Sequence, residues 1–226
     1  MRDSLQEFGE TASTDAFSLQ NHKLLKVRLE AVTIQAKQGS MVAYQGEVTF
    51  KHAGAGGLGR LVKKAVTGEG QPLMKVTGSG EVFLADDARN VHLFYLEDDR
   101  LTVNGPNLLA FDAGIDWDID RIRGGVAGAM AGGLFNTTLE GTGWVAILSD
   151  GPPVLLDVGS APTFADAQAA ITWSSGVTTS IKTDFKAMNL VGRGSGESLQ
   201  LGFSGQGWVL VQPSEGRTPP APGHTG

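Results

Sequence analysis

A chain of 226 residues, 41% of them apolar and 19% charged, is long enough to bury a sizeable core as one domain or as a few fused small units. Its formal net charge of −6 argues against broad electrostatic attraction to nucleic acid or to an anionic membrane surface. It contains no cysteine, which excludes disulfides, zinc–thiolate sites and thiol catalysis.

The amino-terminal stretch MRDSLQEFGETASTD lacks the apolar run of a signal peptide. Asp3, Glu7, Glu10 and Asp15 make it too acidic for a mitochondrial presequence. Residues 1–22 are therefore expected to form a flexible arm. From Lys26 to Ala31 charged and apolar residues alternate, the period-2 pattern of a half-buried strand. Met41-Val42-Ala43-Tyr44 follows as an apolar element ending in an aromatic. The glycine-rich Gly54–Gly59 fits G-x-G-x-x-G and precedes a short helical stretch, Arg60–Val66. No βαβ unit surrounds it, so a glycine loop before a short helix is the better reading than a dinucleotide site. Gly78-Ser79-Gly80 then opens into Val82–Ala85, and Leu108-Leu109-Ala110-Phe111 forms the next apolar element. After a second glycine- and alanine-rich, weakly helical stretch, Val126–Leu134, Gly141-Thr142-Gly143 opens into Trp144–Leu148. The last third carries Ala170-Ile171-Thr172-Trp173, an alternating run over Ser198–Phe203, and Gly205-Gln206-Gly207 before Trp208–Val211. Residues 213–226, rich in proline and glycine, read as a disordered tail.

Spacing is the strongest signal. The three Gly-x-Gly triplets that open into apolar runs begin 63 and 64 residues apart. The aromatics Tyr44, Phe111 and Trp173 precede them by 34, 30 and 32 residues. Two landmarks keeping step predict an all-β domain over 23–212 built from three internal repeats of about 63 residues, roughly 23–87, 88–151 and 152–212. Each Gly-x-Gly is expected to be a hairpin connection using glycine's access to positive φ. The units are expected to be antiparallel β layers with short helical insertions, arranged around a pseudo-threefold axis that lets them bury one another's edges.

Three stretches carry a resemblance to a known family: GSMVAY (Gly39–Tyr44), GGLGRLVKKAVTGEG (Gly56–Gly70) and GSGESLQLGFSGQGWVLVQ (Gly194–Gln212). They resemble the altered-inheritance-of-mitochondria, or mitochondrial-biogenesis, family over about Lys23 to Gln212. The resemblance implies a fold like that of the tryptophan RNA-binding attenuation protein, all-β with three internal repeats. It carries no catalytic residues over, because the family's biochemical activity is not established; its fungal members are linked to inner-membrane organisation in mitochondria.

Residue chemistry adds few candidates. Arg60, Lys63 and Lys64, at i, i+3 and i+4, form a basic helical patch that would meet an anion or RNA. Net acidity and few aromatics for base stacking favour a solvated or protein-docking face instead. Asp116, Asp118 and Asp120 alternate with apolar residues, which aligns three carboxylates on one strand face as a weak cation platform. Arg121 and Ala127 stand where an EF-hand needs glycine and glutamate, so a solvated face is favoured. His22, His52, His92 and His224 lack metal-ligand spacing, and no serine sits in a G-x-S-x-G elbow. Trp144 and Trp208 hold matching positions, filled in the first unit by Glu81, and are expected to pack within the fold. The reading is a cytoplasmic, non-enzymatic β-rich scaffold or protein-binding module without cofactor, metal, integral membrane insertion or DNA. It would act by self-association or with a protein partner; the alternative is RNA or small-ligand binding at the basic helix or between units.

Overall fold

The computed structural model describes residues 3–52, 72–121, 135–182 and 200–214. Both expected helical stretches, Arg60–Val66 and Val126–Leu134, lie outside them, as does most of the carboxyl tail. The described chain is all-β apart from short 3-10 turns at Asp3–Phe8 and Gly105–Asn107, and all its strand pairs are antiparallel.

In chain order the strands are β1 (Phe17–Asn21), β2 (Leu24–Lys37), β3 (Met41–His52), β4 (Leu73–Leu84), β5 (Asn90–Asn104), β6 (Leu108–Asp112) and β7 (Asp116–Arg121). They continue as β8 (Phe135–Ser149), β9 (Val154–Asp157), β10 (Thr163–Asp166), β11 (Ala170–Ser174), β12 (Val177–Lys182), β13 (Gln200–Gly205) and β14 (Trp208–Val211). Eleven of these form one sheet in the order β3-β4-β2-β6-β8-β5-β11-β14-β9, with β1 added to β2 and β7 to β8. The other three form a small sheet, β10-β13-β12.

The sheet begins earlier than expected. Phe17, inside the segment read as an arm, is buried and pairs with Val27, because an aromatic at that point fills the first core. Alternation in β2 holds for Val27 and Leu29, which are buried, but Lys26 on the opposite phase is buried too. Its ammonium lies against Glu10 and Glu81 at 3.0 and 2.9 Å, so a charge that the pattern assigned to solvent is neutralised inside.

Two of the three Gly-x-Gly triplets are not hairpins. Gly78–Gly80 lies within β4 and Gly141–Gly143 within β8; Gly205–Gly207 alone joins two strands, β13 and β14. All six glycines have positive φ, from 115° to 149°. The left-handed backbone serves close approach rather than reversal: a Cβ on Gly78 or Gly80 would stand 2.0 Å from the carbonyl oxygen of Glu47 or Gln45 on β3.

Register repeats around these glycines. Tyr44 pairs with Val82, Phe111 with Val145 and Trp173 with Val209, each partner two residues beyond the second glycine. A register shift follows at the same distance in each pair, at Met41/Ala43, Leu108/Ala110 and Ala170/Thr172. On the other flank Ile34 pairs with Val76, Leu101 with Leu139 and Thr163 with Phe203, each partner two residues before the first glycine.

Three apolar clusters make up the core. The first combines β1, β2 and β4 with Val91 of β5, Leu109 and Ala110 of β6, and Ala146 and Leu148 of β8. The second combines β5, β6 and β8 with Leu73 of β4, Ile115, Ile171 of β11 and Leu210 of β14. The third draws only on 158–209, around Trp173, Leu201, Phe203 and Val209. Burial of these side chains supplies the main favourable term, at roughly 25 cal/mol per Å2 of apolar surface removed from water.

Candidate functional site

The most unusual surface lies on β3, the end strand of the large sheet. Residues 41–47 are all exposed, with Val42 at 61% and Tyr44 at 48%. The residues in matching register elsewhere, Leu109 and Phe111 of β6 and Ile171 and Trp173 of β11, are buried to between 0 and 4% exposure. The reason is topological. β6 is covered on its second edge by the end of β2, through Ile34↔Asp112, Gln35↔Phe111 and Ala36↔Ala110. β11 is covered in the same way by the end of β5, through Leu101↔Ser174, Thr102↔Trp173 and Val103↔Thr172. Among the described residues β3 pairs with β4 alone. An edge of this length with apolar side chains is a ready template for strand addition.

Local structure holds that edge in place. The β2–β3 connection turns at Gly39 (φ 83°), and Ser40 donates its hydroxyl to the Lys37 carbonyl at 2.7 Å. The Tyr44 ring packs edge-on to Phe50, 5.3 Å between centroids. Gln45 donates to the Glu10 carboxylate at 3.1 Å, which links β3 to the charged cluster at Lys26. Hydrogen bonding to Glu81 and Glu10 holds the Lys26 ammonium pKa above its ordinary value despite burial, and hydrogen bonding to Lys26 lowers that of Glu10.

The other polar contacts in the interior pin strands. The Asp112 carboxylate accepts the Trp144 N–H at 2.7 Å, and the Ser174 hydroxyl accepts the Trp208 N–H at 3.1 Å. Burial pushes the Asp112 pKa up. Trp144 stacks on Phe17 and Trp208 on Phe94, with centroids 6.4 and 6.3 Å apart, so both tryptophans pack within the fold. His92, its pKa lowered by burial, lies 2.8 Å from the Ser149 hydroxyl.

Arg60, Lys63 and Lys64 lie outside the described residues. Asp116 and Asp118 sit on the exposed face of β7, opposite Glu140 and Thr138, and Asp118 accepts the Ile119 N–H at 2.9 Å. Asp120 occupies the same strand phase opposite Asn136. Among the described residues no three His, Cys, Asp or Glu side chains gather as a metal site. The β3 edge was missed because MVAY reads as one more apolar element, with nothing in its composition to separate it from LLAF or AITW. What distinguishes it is that, among the described residues, no strand lies on its second edge as β2 lies on that of β6.

These features define a protein that is all-β over its described residues, among which the most distinctive surface is an apolar strand edge that no other strand covers. The model of the family described as Mitochondrial biogenesis AIM24 matches residues 17–214, and the chain belongs to that family. No curated protein matches the sequence. Among solved structures, the crystal structure of protein SPYM3_0169 from Streptococcus pyogenes is similar, with a TM-score of 0.71 and 23% identity. That likeness covers 88% of this chain and 92% of the other, and it is a likeness of fold. Among the described residues no helix is long and apolar enough to cross a membrane.

Proposed function

We propose that this protein is a non-enzymatic β scaffold of three fused units that acts through its surface, by assembling with itself or with another protein. The observation that carries the reading is the β3 edge, where Met41, Val42 and Tyr44 face solvent at positions whose counterparts are core. Supporting the three-unit part are the shared registers of Tyr44, Phe111 and Trp173 and the common positive φ of the six Gly-x-Gly glycines. A pseudo-threefold duplication accounts for both with one structural unit used three times. The interior polar groups fit a structural role: Asp112, Ser174 and Lys26 each have partners that fix strands, and none lies at the exposed edge.

Native mass spectrometry of the untagged protein purified from its own source tests this. A multimer of the chain, or a stoichiometric complex with one protein, is the expected result. A single chain carrying a small molecule that leaves on denaturation overturns it in favour of ligand binding.

A further inference from the structure

We infer that the occupant of the β3 edge is β10 of a second copy of this chain, added antiparallel with Tyr44 opposite Phe164. This rests on the scaffold reading and specifies its partner.

The two joints inside the chain supply the template. In each, the end of a long first strand pairs with the apolar strand of the following unit, in one register: Gln35 opposite Phe111, Thr102 opposite Trp173. Tyr44 is the counterpart of Phe111 and Trp173, since all three pair with the residue two beyond the second glycine. Thr163 is the counterpart of Ile34 and Leu101, since all three pair with the residue two before the first glycine. Phe164 therefore stands where Gln35 and Thr102 stand, and Ala165 where Ala36 and Val103 stand. Carrying the internal register across gives Thr163↔Gln45, Phe164↔Tyr44 and Ala165↔Ala43.

The ends are complementary in topology and in chemistry. Among the described residues β3 ends the large sheet and β10 ends the small sheet, so these carry one half-joint of each kind. Among the described residues the two strands are not paired within one chain. Phe164 is exposed at 45%, and its aromatic ring replaces the polar Gln35 and Thr102 of the internal joints, which suits a partner Tyr44 directly across the strand pair. The cores agree. The first borrows Leu109 from the next unit and the second borrows Ile171, while the third borrows from no later unit. Val42, the bulge residue matching Leu109 and Ile171, is the exposed side chain that a copy would contribute. Such a joint is heterologous, so copies add head to tail, into a ring where the rotation closes and into a filament where it does not.

The absence of native cysteine makes the test clean. Directly opposed residues of an antiparallel pair have Cα atoms about 4.5–5.5 Å apart, within disulfide reach. Chains carrying Tyr44→Cys and chains carrying Phe164→Cys are mixed, unfolded together, refolded and oxidised. The expected product is a covalent heterodimer well above the level formed when Tyr95→Cys, on the exposed part of β5, replaces Tyr44→Cys. In parallel, native mass spectrometry compares the wild type with Val42→Lys, with circular dichroism recorded on both to check that the variant folds. The expected change is loss of the multimer to single chains. A wild-type multimer with no 44–164 cross-link above control, unaffected by Val42→Lys, overturns this joint and leaves the scaffold reading standing. A wild type that is a single chain up to high micromolar concentration overturns the joint, and with it self-assembly.

Discussion

The carboxylate of Asp112, on β6, accepts the backbone N–H of Trp144, on β8, at 2.7 Å, directly beside Gly143. A Cβ on that glycine would lie 2.7 Å from the same carboxylate oxygen, so the contact needs both a short acceptor and a bare backbone. Ser174 makes the matching bond to Trp208 beside Gly207. Removing the acceptor with Asp112→Ala leaves a half-buried donor unsatisfied and should cost about 1–3 kcal/mol in urea unfolding at neutral pH. Burial raises the Asp112 pKa, so the folded state holds its proton to higher pH than the unfolded chain does. This part of the stability is present below the ordinary carboxylate pKa and is lost as pH rises through the folded one. Asp112→Asn should keep the bond and flatten that slope.

Gly80→Ala should be far worse than its chemistry suggests. The residue has φ 147°, and a Cβ would press within 2.0 Å of the Gln45 carbonyl oxygen, which is backbone and has nowhere to go. Strain of this kind costs about 1–3 kcal/mol before the clash is counted. Gly114→Ala is the control: nothing lies within 4 Å of its added Cβ, and its φ is not positive. Thermal unfolding should separate the two by at least several degrees, and equal melting temperatures would refute the close-approach account.

Lys26 predicts a stability plateau with two flanks. Its pKa is raised in the fold, so its contribution is complete below the ordinary lysine value of about 10.4 and is lost as pH rises through the folded value. Glu10, lowered chiefly by hydrogen bonding to Lys26, contributes above its ordinary value of about 4.3 and loses it as pH falls. Lys26→Met should remove both flanks, since both shifts come from this pairing, and should lower the plateau by less than the about 3–5 kcal/mol of a fully buried pair, because Glu10 is partly exposed. Denaturant midpoints measured from about pH 2 to about pH 12 check both slopes. Glu10→Gln should remove the acid flank alone.

The strands of this protein were legible wherever period and landmark coincided. Val27 and Leu29 face inward as alternation demands, and the aromatics Tyr44, Phe111 and Trp173 lie on strands that pair beside the glycine triplets. The role of those triplets was not legible. Positive φ serves a turn and a close crossing equally well, and only the carbonyls of Gln45 and Glu47 show which is at work in β4. Lys26 escaped for a related reason: alternation records polarity, while its burial depends on Glu10 and Glu81, 16 and 55 residues away in sequence. The β3 edge escaped because coverage is a property of the whole topology. Met41–Tyr44 and Leu108–Phe111 carry similar apolar residues, and β6 has the end of β2 on its second edge while β3, among the described residues, has β4 alone.

Gln212, buried just past the end of β14, has a consequence for synthesis. Its side-chain oxygen accepts the Asp150 N–H at 2.9 Å, its amide donates to the Gln168 carbonyl at 3.1 Å, and its backbone N–H donates to the Ala169 carbonyl at 2.9 Å. β14 itself is inserted between β11 and β9. On the ribosome those two strands emerge first and wait without the strand that joins them. The sheet's far end is therefore closed by residues translated after both strands that they join, and a chain truncated before Gln212 is released with its final third unsealed.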